Sequence, residues 1–567
     1  MVLLNNEKIL QILIKNKIPI IFLILFITSF SYILFFTQCV PFFFDDHDIH
    51  SSYVNQGYKS KFLQLINLNH SNSLSGPRPV YSLFFITIFP FLGFDYCAYR
   101  IAKAIVFSFL VFVLYSISHF LFKKEWSAIA TTIVIMTSFP LFIQTFGYNG
   151  THIFAELFKD LAILFFIRDI INNKSSIFRT ILIFVFALLA IRSYDPSYSI
   201  AAILPLFTLF YKPRKFPKYI PLFLFIILIQ FPLGISFETI AQPNGPTYTP
   251  KLINIKHVFT DGIIEHITSP FPNYSNLYYK PAIAILTFFG FWLLIISIIG
   301  ILLWKLYFHT FTKKIIHTQQ KDEAPLDSKM IITLTLVWML SELPTYIFLP
   351  EHAIRYLFTF LVPFVLLAAY FVVSFLNLLT LNYKKYAVRI VYLFIIGIVL
   401  TNISYTYAFR AGWGSAFIAF ENVMDFMANE KSKTDQTIGV LYNAGSAADE
   451  YFYLNKSSEN YSFGIGMSYI KTADLNAFTE ENIRKMRERY NQFYVLKRTT
   501  SISGTEYPPI SFNDYDSLQE TFVIYGYSEE ILFDKINRVV MRVLGVTYKP
   551  NQVVIYKYTN IPNQIKD

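Results

Sequence analysis

The sequence predicts an α-helical polytopic membrane protein with about eleven transmembrane helices and a C-terminal soluble α/β domain. Apolar residues make up 54% of the 567 positions, whereas roughly 45–50% is typical of soluble proteins. Long apolar runs recur through the first two thirds of the chain, and many approach the roughly 20 residues that a helix needs to cross a bilayer. The last third changes to mixed polar and aromatic sequence, which predicts a domain outside the membrane.

The apolar runs predict both the spans and a stable N-terminal anchor. The run from Ile18 to Cys39 is too long and too aromatic for a cleaved signal peptide and has no small-residue cleavage site. Between Arg78 and Phe94 the sequence is apolar but too short to span, so we expect a re-entrant or interfacial helix there. The predicted spans are 18–40, 100–122, 127–146, 152–170, 178–192, 197–211, 217–236, 281–304, 330–349, 356–378 and 388–405.

The charges support this count. With the N terminus inside, the predicted cytoplasmic segments include "FKKEW", "YKPRKFPKY" and "NYKKYAVR", and the opposite loops are much poorer in Lys and Arg. This asymmetry is what the positive-inside rule requires. It accounts for the formal net charge of +11 without a nucleic-acid partner.

An odd number of spans places the C-terminal segment on the same side as the first loop. We therefore predict a transmembrane domain at 1–405, whose first outer loop is 41–79, and an extracytoplasmic α/β domain at 406–567. Strand-like runs "TIGVLY", "QFYVLK", "FVIYGY" and "QVVIYKY" accompany a helix-like stretch "EENIRKMRERY" in that domain. The two cysteines, Cys39 and Cys97, fall near the outer surface, and we interpret them as packing residues rather than a disulfide.

Carboxylates cluster directly behind the first span in "PFFFDDHDIH". Asp45, Asp46 and Asp48 lie beside His47, and closely spaced carboxylates tend to raise a pKa or to attract a cation or proton. A solvated loop whose acidic residues cap the next helix explains the charges equally well. The charges alone leave both interpretations open.

A second group of polar residues lies at the outer end of a late span, in "LPEHAIRYLFTFLVPF". Arg355 follows Glu351 and His352 by about one helical turn. An Arg at this depth is costly unless it pairs with a carboxylate or a phosphate. The alternatives are a structural pair with Glu351 and a clamp on an anionic lipid headgroup.

Two weaker features lie on the same side. "GYNGTHIFAELFKD" brings His152 and Glu156 to the entrance of the fourth span, and "IRSYDPSYS" puts Arg192 and Asp195 in a turn between two short spans. Ordinary surface pairs or packing residues would give the same patterns. No metal-ligand spacing, nucleophile elbow or phosphate-binding glycine loop is present in the sequence.

In the order of these motifs, the chain resembles the GT-C fold glycosyltransferases, in particular the group that includes protein O-mannosyltransferases and lipid A aminoarabinose transferases. The acidic pair Asp45 and Asp46 follows the first span, as in that family. The segment "RPVYSLFFITIFPFLGFDYCAYR" resembles the family's "(K/R)PP(L/V)YY" segment, and "AIRYLFTFLVPFVL" resembles its "xxRYLxxxxPFL". The resemblance covers roughly residues 18–405.

The resemblance implies an inverting transfer of a sugar from a polyprenyl-phosphate carrier to a glycan, lipid or protein acceptor. Asp45 or Asp46 would be the general base, and cationic side chains would stabilise the leaving phosphate. No cofactor is expected, and a divalent metal at the carboxylates is an alternative that we do not favour. The implied substrate-binding residues are His47, Asp48, Arg78, Tyr81, His152, Glu156, Arg192, Glu351, His352, Arg355 and Tyr356.

The chain departs from the family at two places. His152 stands where many relatives have an Asp, and "RSYDPS" replaces a frequent "TKG", so the sugar or the acceptor can differ. The implied location is a bacterial inner membrane, with the site and the C-terminal domain on the periplasmic or extracellular face and membrane lipid around the spans. A transporter or flippase for a lipid-linked or anionic substrate is the main rival, and a non-catalytic membrane protein with a partner-binding outer domain is a third hypothesis.

Overall fold

The chain folds into a helical membrane domain followed by a small α/β domain, which confirms the predicted fold class. The computed structural model describes residues 17–38, 80, 84, 87–88, 91–92, 96–146, 151–171, 176–193, 195–221, 224, 328–348, 357–378, 381–434, 438–443, 467–472, 480–498, 518–543 and 551–559.

Ten α-helices of the membrane domain have both ends among the described residues. They are α1 (Lys17–Thr37), α2 (Tyr96–Phe122), α3 (Glu125–Met136), α4 (Phe139–Phe146), α5 (Thr151–Ile171), α6 (Ile177–Ser193), α7 (Ser199–Tyr211), α8 (Ser328–Phe348), α9 (Leu357–Leu378) and α10 (Leu381–Phe409). Among the described helices, three are long and apolar enough to cross a bilayer, and these spans are Pro19–Thr37, Cys97–Phe122 and Lys385–Gly412.

Most predicted spans correspond to observed helices, with one clear difference. The predicted span 127–146 is two helices, because α3 ends at Met136 and α4 begins at Phe139. Pro140 explains the break, since proline lacks the N–H that a continuous helix would need but fits the first turn of a new one. The predicted span 281–304 and most of 217–236 lie outside the described residues.

Aromatic contacts join several helices at one end of the bundle. The ring of Phe36 lies 5.9 Å from that of Phe142, and Phe142 lies 6.2 Å from Phe409. Nearby, the hydroxyl groups of Tyr32 and Thr406 are 3.1 Å apart. α4 therefore meets the C-terminal ends of α1 and α10, and we call this the docking end.

Cations gather at the opposite end, which we call the cationic end. Asp169, near the end of α5, accepts a hydrogen bond from Lys218 Nζ at 2.9 Å, and Lys215 Nζ lies 3.5 Å from the same carboxylate oxygen. Arg168 lies over the Phe120 ring at 4.6 Å. On the opposite side of this end, Lys124 donates to Asn377 Oδ1 at 2.6 Å. The described Lys and Arg residues in these contacts thus lie at one end of the bundle.

The cysteine interpretation is wrong. Cys97, in the first turn of α2 at the docking end, is disulfide-bonded, and the described part of the chain has no free cysteine. Cys39 is the only other cysteine in the sequence. The spacing of two cysteines along the chain carries no information about whether their Cβ atoms can meet, so the sequence could not distinguish the two cases.

The C-terminal domain is a mixed five-stranded sheet with helices on both faces. Its elements are α11 (Ser415–Ser432), β1 (Ile438–Asn443), β2 (Met467–Thr472), α12 (Glu480–Arg489), β3 (Gln492–Arg498), β4 (Leu518–Tyr525), α13 (Leu532–Val543) and β5 (Gln552–Thr559). The strand order is β2-β1-β3-β5-β4, in which β1 is parallel to β2 and β3, and β5 is antiparallel to β3 and β4.

Two apolar layers and one ion cluster hold this domain together. Val423 and Met427 of α11 pack against one face of the sheet, and Met486 of α12 packs against the other. Between α11 and the sheet, Glu430 accepts hydrogen bonds from Tyr494 at 2.6 Å and from Lys557 at 3.2 Å. Burial opposes its ionisation, but hydrogen bonds from Lys433, Tyr494 and Lys557 lower the pKa of Glu430 to about 2.

Helix α13 joins the C-terminal domain to the docking end. The Phe533 ring lies 5.7 Å from Phe35 and 6.0 Å from Phe36, and the Phe533 N–H donates to Gln38 Oε1 at 3.2 Å. A π-helical turn, Arg410–Gly414, follows α10, and the buried Arg410 lies 4.6 Å over the same ring. The first and last described helices of the chain therefore pack on each other.

Candidate functional site

Three of the residues that the sequence nominates lie in described helices. His152 and Glu156 are in α5, and Arg192 is in the last turn of α6. Their roles stay predictions. The other nominated residues lie outside the described residues, namely Asp45, Asp46, His47, Asp48, Arg78, Tyr81, Glu351, His352, Arg355 and Tyr356.

One side of α5 carries a row of buried polar groups. His152 and Glu156 are each 3% exposed, and Lys159 and Asp160 are fully buried. Their spacing of four, three and one residues places them on one face of the helix, because side chains three or four positions apart are neighbours. The remainder of α5 is largely apolar, so this face marks a polar interior within the membrane domain.

Lys159 lies at the centre of a buried ion cluster. Its Nζ is 2.9 Å from Glu156 Oε1 and 3.1 Å from Glu342 Oε1 of α8. Ser199 Oγ, at the start of α7, also donates to Glu342 Oε1 at 2.9 Å, and Trp338 Nε1 donates to it at 3.2 Å. The cluster therefore fastens α5, α7 and α8 to one another.

The cluster lies near the docking end. With a rise of about 1.5 Å per residue, Glu156 is roughly 8 Å and Lys159 roughly 12 Å from the first residue of α5. Glu342 lies roughly 9 Å from the last residue of α8 by the same measure. Since α4 leads into α5 across residues 147–150, the start of α5 shares the docking end with α4.

The cluster holds more acid than base. Glu156, Asp160 and Glu342 supply three carboxylates against the single ammonium group of Lys159, and all are at most 3% exposed. Within the described part of the chain, neither oxygen of Asp160 has a hydrogen-bond partner, and Glu342 Oε2 has none. A buried excess of carboxylates favours retention of a proton or entry of a cation. No group of three or more His, Cys, Asp or Glu in the described residues is arranged to hold a metal ion.

Further cations lie toward the docking end of the bundle. Arg100 and Lys103 of α2 are 2% and 4% exposed and stand one turn apart. Arg192 is half-buried at the end of α6. These three side chains add buried or half-buried positive charge to the docking ends of α2 and α6.

The segment before α2 also reaches this region. Phe84 belongs to the predicted re-entrant stretch, and its ring lies 4.6 Å from that of Phe154 in the first turn of α5. Residues 80, 84, 87–88 and 91–92 are helical, in agreement with the expected short helix. The described part of this stretch thus contacts the first turn of α5 through Phe84.

Sequence reasoning missed Lys159, Asp160 and Glu342. A signal was available, because all three are ionisable residues within predicted spans, where such residues are rare and are usually paired. The partner could not be read from the sequence, since Lys159 and Glu342 are 183 positions apart.

The chain has a fold-level likeness to solved structures. Twelve chains of solved structures match, and among them is ArnT from Cupriavidus metallidurans in the apo state, with 11% identity, 94% of this chain and 97% of that chain covered, and a TM-score of 0.44. No family model and no curated protein matches the sequence. We base no functional conclusion on a likeness at this level.

Proposed function

We propose that this protein is a GT-C-like inverting glycosyltransferase, which moves a sugar from a polyprenyl-phosphate donor to a glycan, lipid or protein acceptor. The observation that supports the proposal is that the described helix ends next to the sequence-nominated segments along the chain lie at the docking end. The acidic motif follows α1, whose last turn is at the docking end, and His152 lies in the first turn of α5. The "EHAIRY" segment follows α8, whose Glu342 joins the α5 cluster.

The proposed orientation places the docking end outside the cytoplasm. Lys and Arg residues concentrate at the cationic end, as the positive-inside rule expects of a cytoplasmic surface. The disulfide of Cys97 lies at the docking end, and disulfides form and persist in oxidising compartments. Both observations support a bacterial inner-membrane protein whose site and C-terminal domain face the periplasm or the cell exterior.

In the proposed reaction, Asp45 or Asp46 removes the proton from the acceptor hydroxyl. The hydroxyl oxygen attacks the anomeric carbon from the face opposite the polyprenyl phosphate, and the bond to the phosphate oxygen breaks, so the configuration inverts. The carrier leaves as a phosphate with increased negative charge, and fixed cations lower the barrier by binding this charge more tightly than they bind the donor. Arg78 and Arg355 are the proposed cations, with Arg192 as a third.

The Lys159 cluster lies deeper in the membrane domain than the proposed site and stabilises the helices next to it. By joining α5, α7 and α8 it fixes the helix ends from which the outer loops depart, and sites built on rigid elements hold their geometry better. His47, Asp48, Tyr81, Glu351, His352 and Tyr356 are proposed to bind substrate. No cofactor is required in this scheme, and a divalent metal at the carboxylates is the alternative that chelation distinguishes.

The proposal is tested with purified protein and a short polyprenyl-phosphate sugar. Release of free polyprenyl phosphate is followed for the native chain and for Asp45→Asn and Asp46→Asn, each with and without EDTA. We expect loss of about two to four orders of magnitude in turnover for whichever residue is the base. Glu488→Gln, an exposed carboxylate of α12 in the C-terminal domain, serves as the control outside the motifs. Native turnover in both motif variants would overturn the proposal.

A transporter or flippase for a lipid-linked or anionic substrate is the second candidate, because intramembrane ionisable residues also mark transport pathways. The α5 cluster is the observation that favours it. Reconstituted protein that moves a fluorescent polyprenyl-phosphate lipid between leaflets, without consuming its sugar, would select this candidate over the transferase.

A further inference from the structure

Helix α13 has three distinct faces, and one of them is buried against the rest of the described protein. Phe533, Asp534, Asn537 and Met541 are buried. This face packs on the ends of the membrane helices, where Tyr407 donates a hydrogen bond to Asn537 and Arg410 lies 3.9 Å from Asp534. The buried face of α13 therefore packs on α10 and on the π-helical turn that follows it.

A second face of α13 is apolar and exposed. Leu532, Ile536, Val539 and Val543 have 38% to 80% of their surface exposed. At about 100° per residue these four side chains share about 60° of the helix circumference, and their centre lies about 140° from that of the buried face. Four adjacent large aliphatic side chains on one stripe are more than the single exposed apolar residues that a soluble surface usually carries.

A third face is cationic. Lys535 and Arg542 are exposed, and Arg538 is half-buried between them, over the Tyr527 ring at 5.1 Å and 3.3 Å from Glu529 Oε1. On the same circular projection these cations lie about 90° from the apolar stripe. An apolar stripe flanked by Lys and Arg is the pattern of helices that lie in the plane of a membrane interface.

The position of α13 makes the membrane the natural occupant of the apolar stripe. Phe533 contacts Phe35 and Phe36 in the last turn of the span Pro19–Thr37, and Arg410 belongs to the span Lys385–Gly412. The helix therefore lies at the level where both spans leave the bilayer. Exposed aliphatic residues on those spans, such as Ile27 and Leu400, form the lipid-facing surface that the stripe would continue.

We propose that α13 is an interfacial membrane-binding helix that inserts Leu532, Ile536, Val539 and Val543 into the lipid at the docking end while Lys535, Arg538 and Arg542 bind anionic headgroups. The helix thereby holds the C-terminal sheet against the bilayer as well as against α1 and α10. This proposal does not depend on glycosyl transfer, since it uses only the position and the faces of α13.

The test uses full-length protein in lipid nanodiscs with an environment-sensitive fluorophore on Val539→Cys or Val543→Cys. Lys535→Cys is the matched control on the cationic face of the same helix. A sample without an introduced cysteine gives the background from the disulfide-bonded native pair. We expect the label at 539 to be blue-shifted, quenched by lipids that carry a nitroxide high on the acyl chain, and several-fold less quenched by iodide than the label at 535.

Two results would overturn the proposal. Equal iodide quenching at 539, 543 and 535 would mean that the stripe faces water, and protection of 539 from both quenchers would mean that another part of the chain or a second copy covers it. The headgroup component is tested by Lys535→Gln combined with Arg542→Gln. These changes should remove the additional lipid quenching that phosphatidylglycerol gives over pure phosphatidylcholine, and unchanged quenching would exclude the cationic contact.

Discussion

Replacing Lys159 by methionine should strongly destabilise the membrane domain. The ammonium group lies 2.9 Å and 3.1 Å from two carboxylates and is fully buried. At an effective dielectric constant of about 20, each unit-charge pair at about 3 Å attracts by about 5–6 kcal/mol before the cost of desolvation. Removing one partner of a buried pair costs about 3–5 kcal/mol in measured cases, because it leaves an uncompensated charge. We expect a loss of at least that size for Lys159→Met.

Asp160→Asn is the matched control for this change. It alters the adjacent residue in the same buried cluster, but it removes one of the excess carboxylates, whose oxygens have no hydrogen-bond partner among the described residues. The variant should therefore lose less than about 1 kcal/mol or become more stable. Adding it to Lys159→Met should restore part of the lost stability, since the two sites share one charge cluster.

Stability is measured as the midpoint of thermal loss of the monodisperse peak in detergent, with chemical denaturation at constant temperature as a second measurement. Lys159→Met should lower the midpoint by several degrees and Asp160→Asn should leave it near or above that of the native chain. Equal midpoints for the native chain and Lys159→Met would refute the buried ion cluster. A larger loss for Asp160→Asn than for Lys159→Met would refute the inferred excess of negative charge.

Three further outcomes concern the C-terminal domain. Burial, with repulsion from Asp425, raises the pKa of Glu421 from 4.5 to about 7. The folded state therefore binds this proton more tightly than the unfolded state, and the free energy of unfolding falls as the pH rises from 4.5 through 7. Glu421→Gln should raise the melting midpoint more at pH 8 than at pH 5, and equal gains at the two pH values would contradict the pKa shift. The pKa of Glu430 is lowered to about 2, so the stabilisation from its ionised carboxylate is present above pH 4.5 and is lost as the pH falls toward 2. Glu430→Gln should lower the free energy of unfolding by about 1.5–3 kcal/mol at pH 7, measured by denaturant unfolding. An unchanged free energy of unfolding would argue against the hydrogen bonds of Glu430. A Cβ at Gly526 would overlap a backbone carbonyl oxygen of α11, so Gly526→Ala should lower the expression level and the melting midpoint. Gly397 of α10 is the control, because a Cβ there meets no atom within 4 Å and Gly397→Ala should be neutral or slightly stabilising.

The membrane helices could be predicted from the sequence because their signal is local. A run such as Pro19–Thr37 identifies itself by its length and hydropathy. The break between α3 and α4 was also readable, since Pro140 stands in the first turn of the second helix. Sequence reasoning joined the two because the apolar run continues across the break.

The C-terminal elements were only partly predictable. The four strands with alternating or aromatic sequence were found, whereas β2 was missed because "MSYIKT" is short and pairs on only one side, as an edge strand. A signal for helix α13 was available, since Leu532, Ile536, Val539 and Val543 recur at helical spacing and make the helix strongly amphipathic.

The ion cluster could be predicted only in outline. Charged residues in "AELFKDLAILFF" indicate that α5 has a polar side, but nothing near them in the sequence names Glu342 as a partner. That pairing depends on how α5 packs against α8. The residues of the proposed catalytic loops were nominated by motif order alone and stay predictions.

The contact between Phe533 and Gln38 joins residues 495 positions apart, and this has a consequence for biosynthesis. α1 enters the membrane well before α13 leaves the ribosome. β5, which follows α13, is an inner strand of the sheet between β3 and β4, so the sheet closes only after α13 has been made. Throughout synthesis the aromatic end of α1 therefore has no α13 to cover it, and a chain that stops before residue 532 would keep that surface permanently open to the quality-control proteases of the cell.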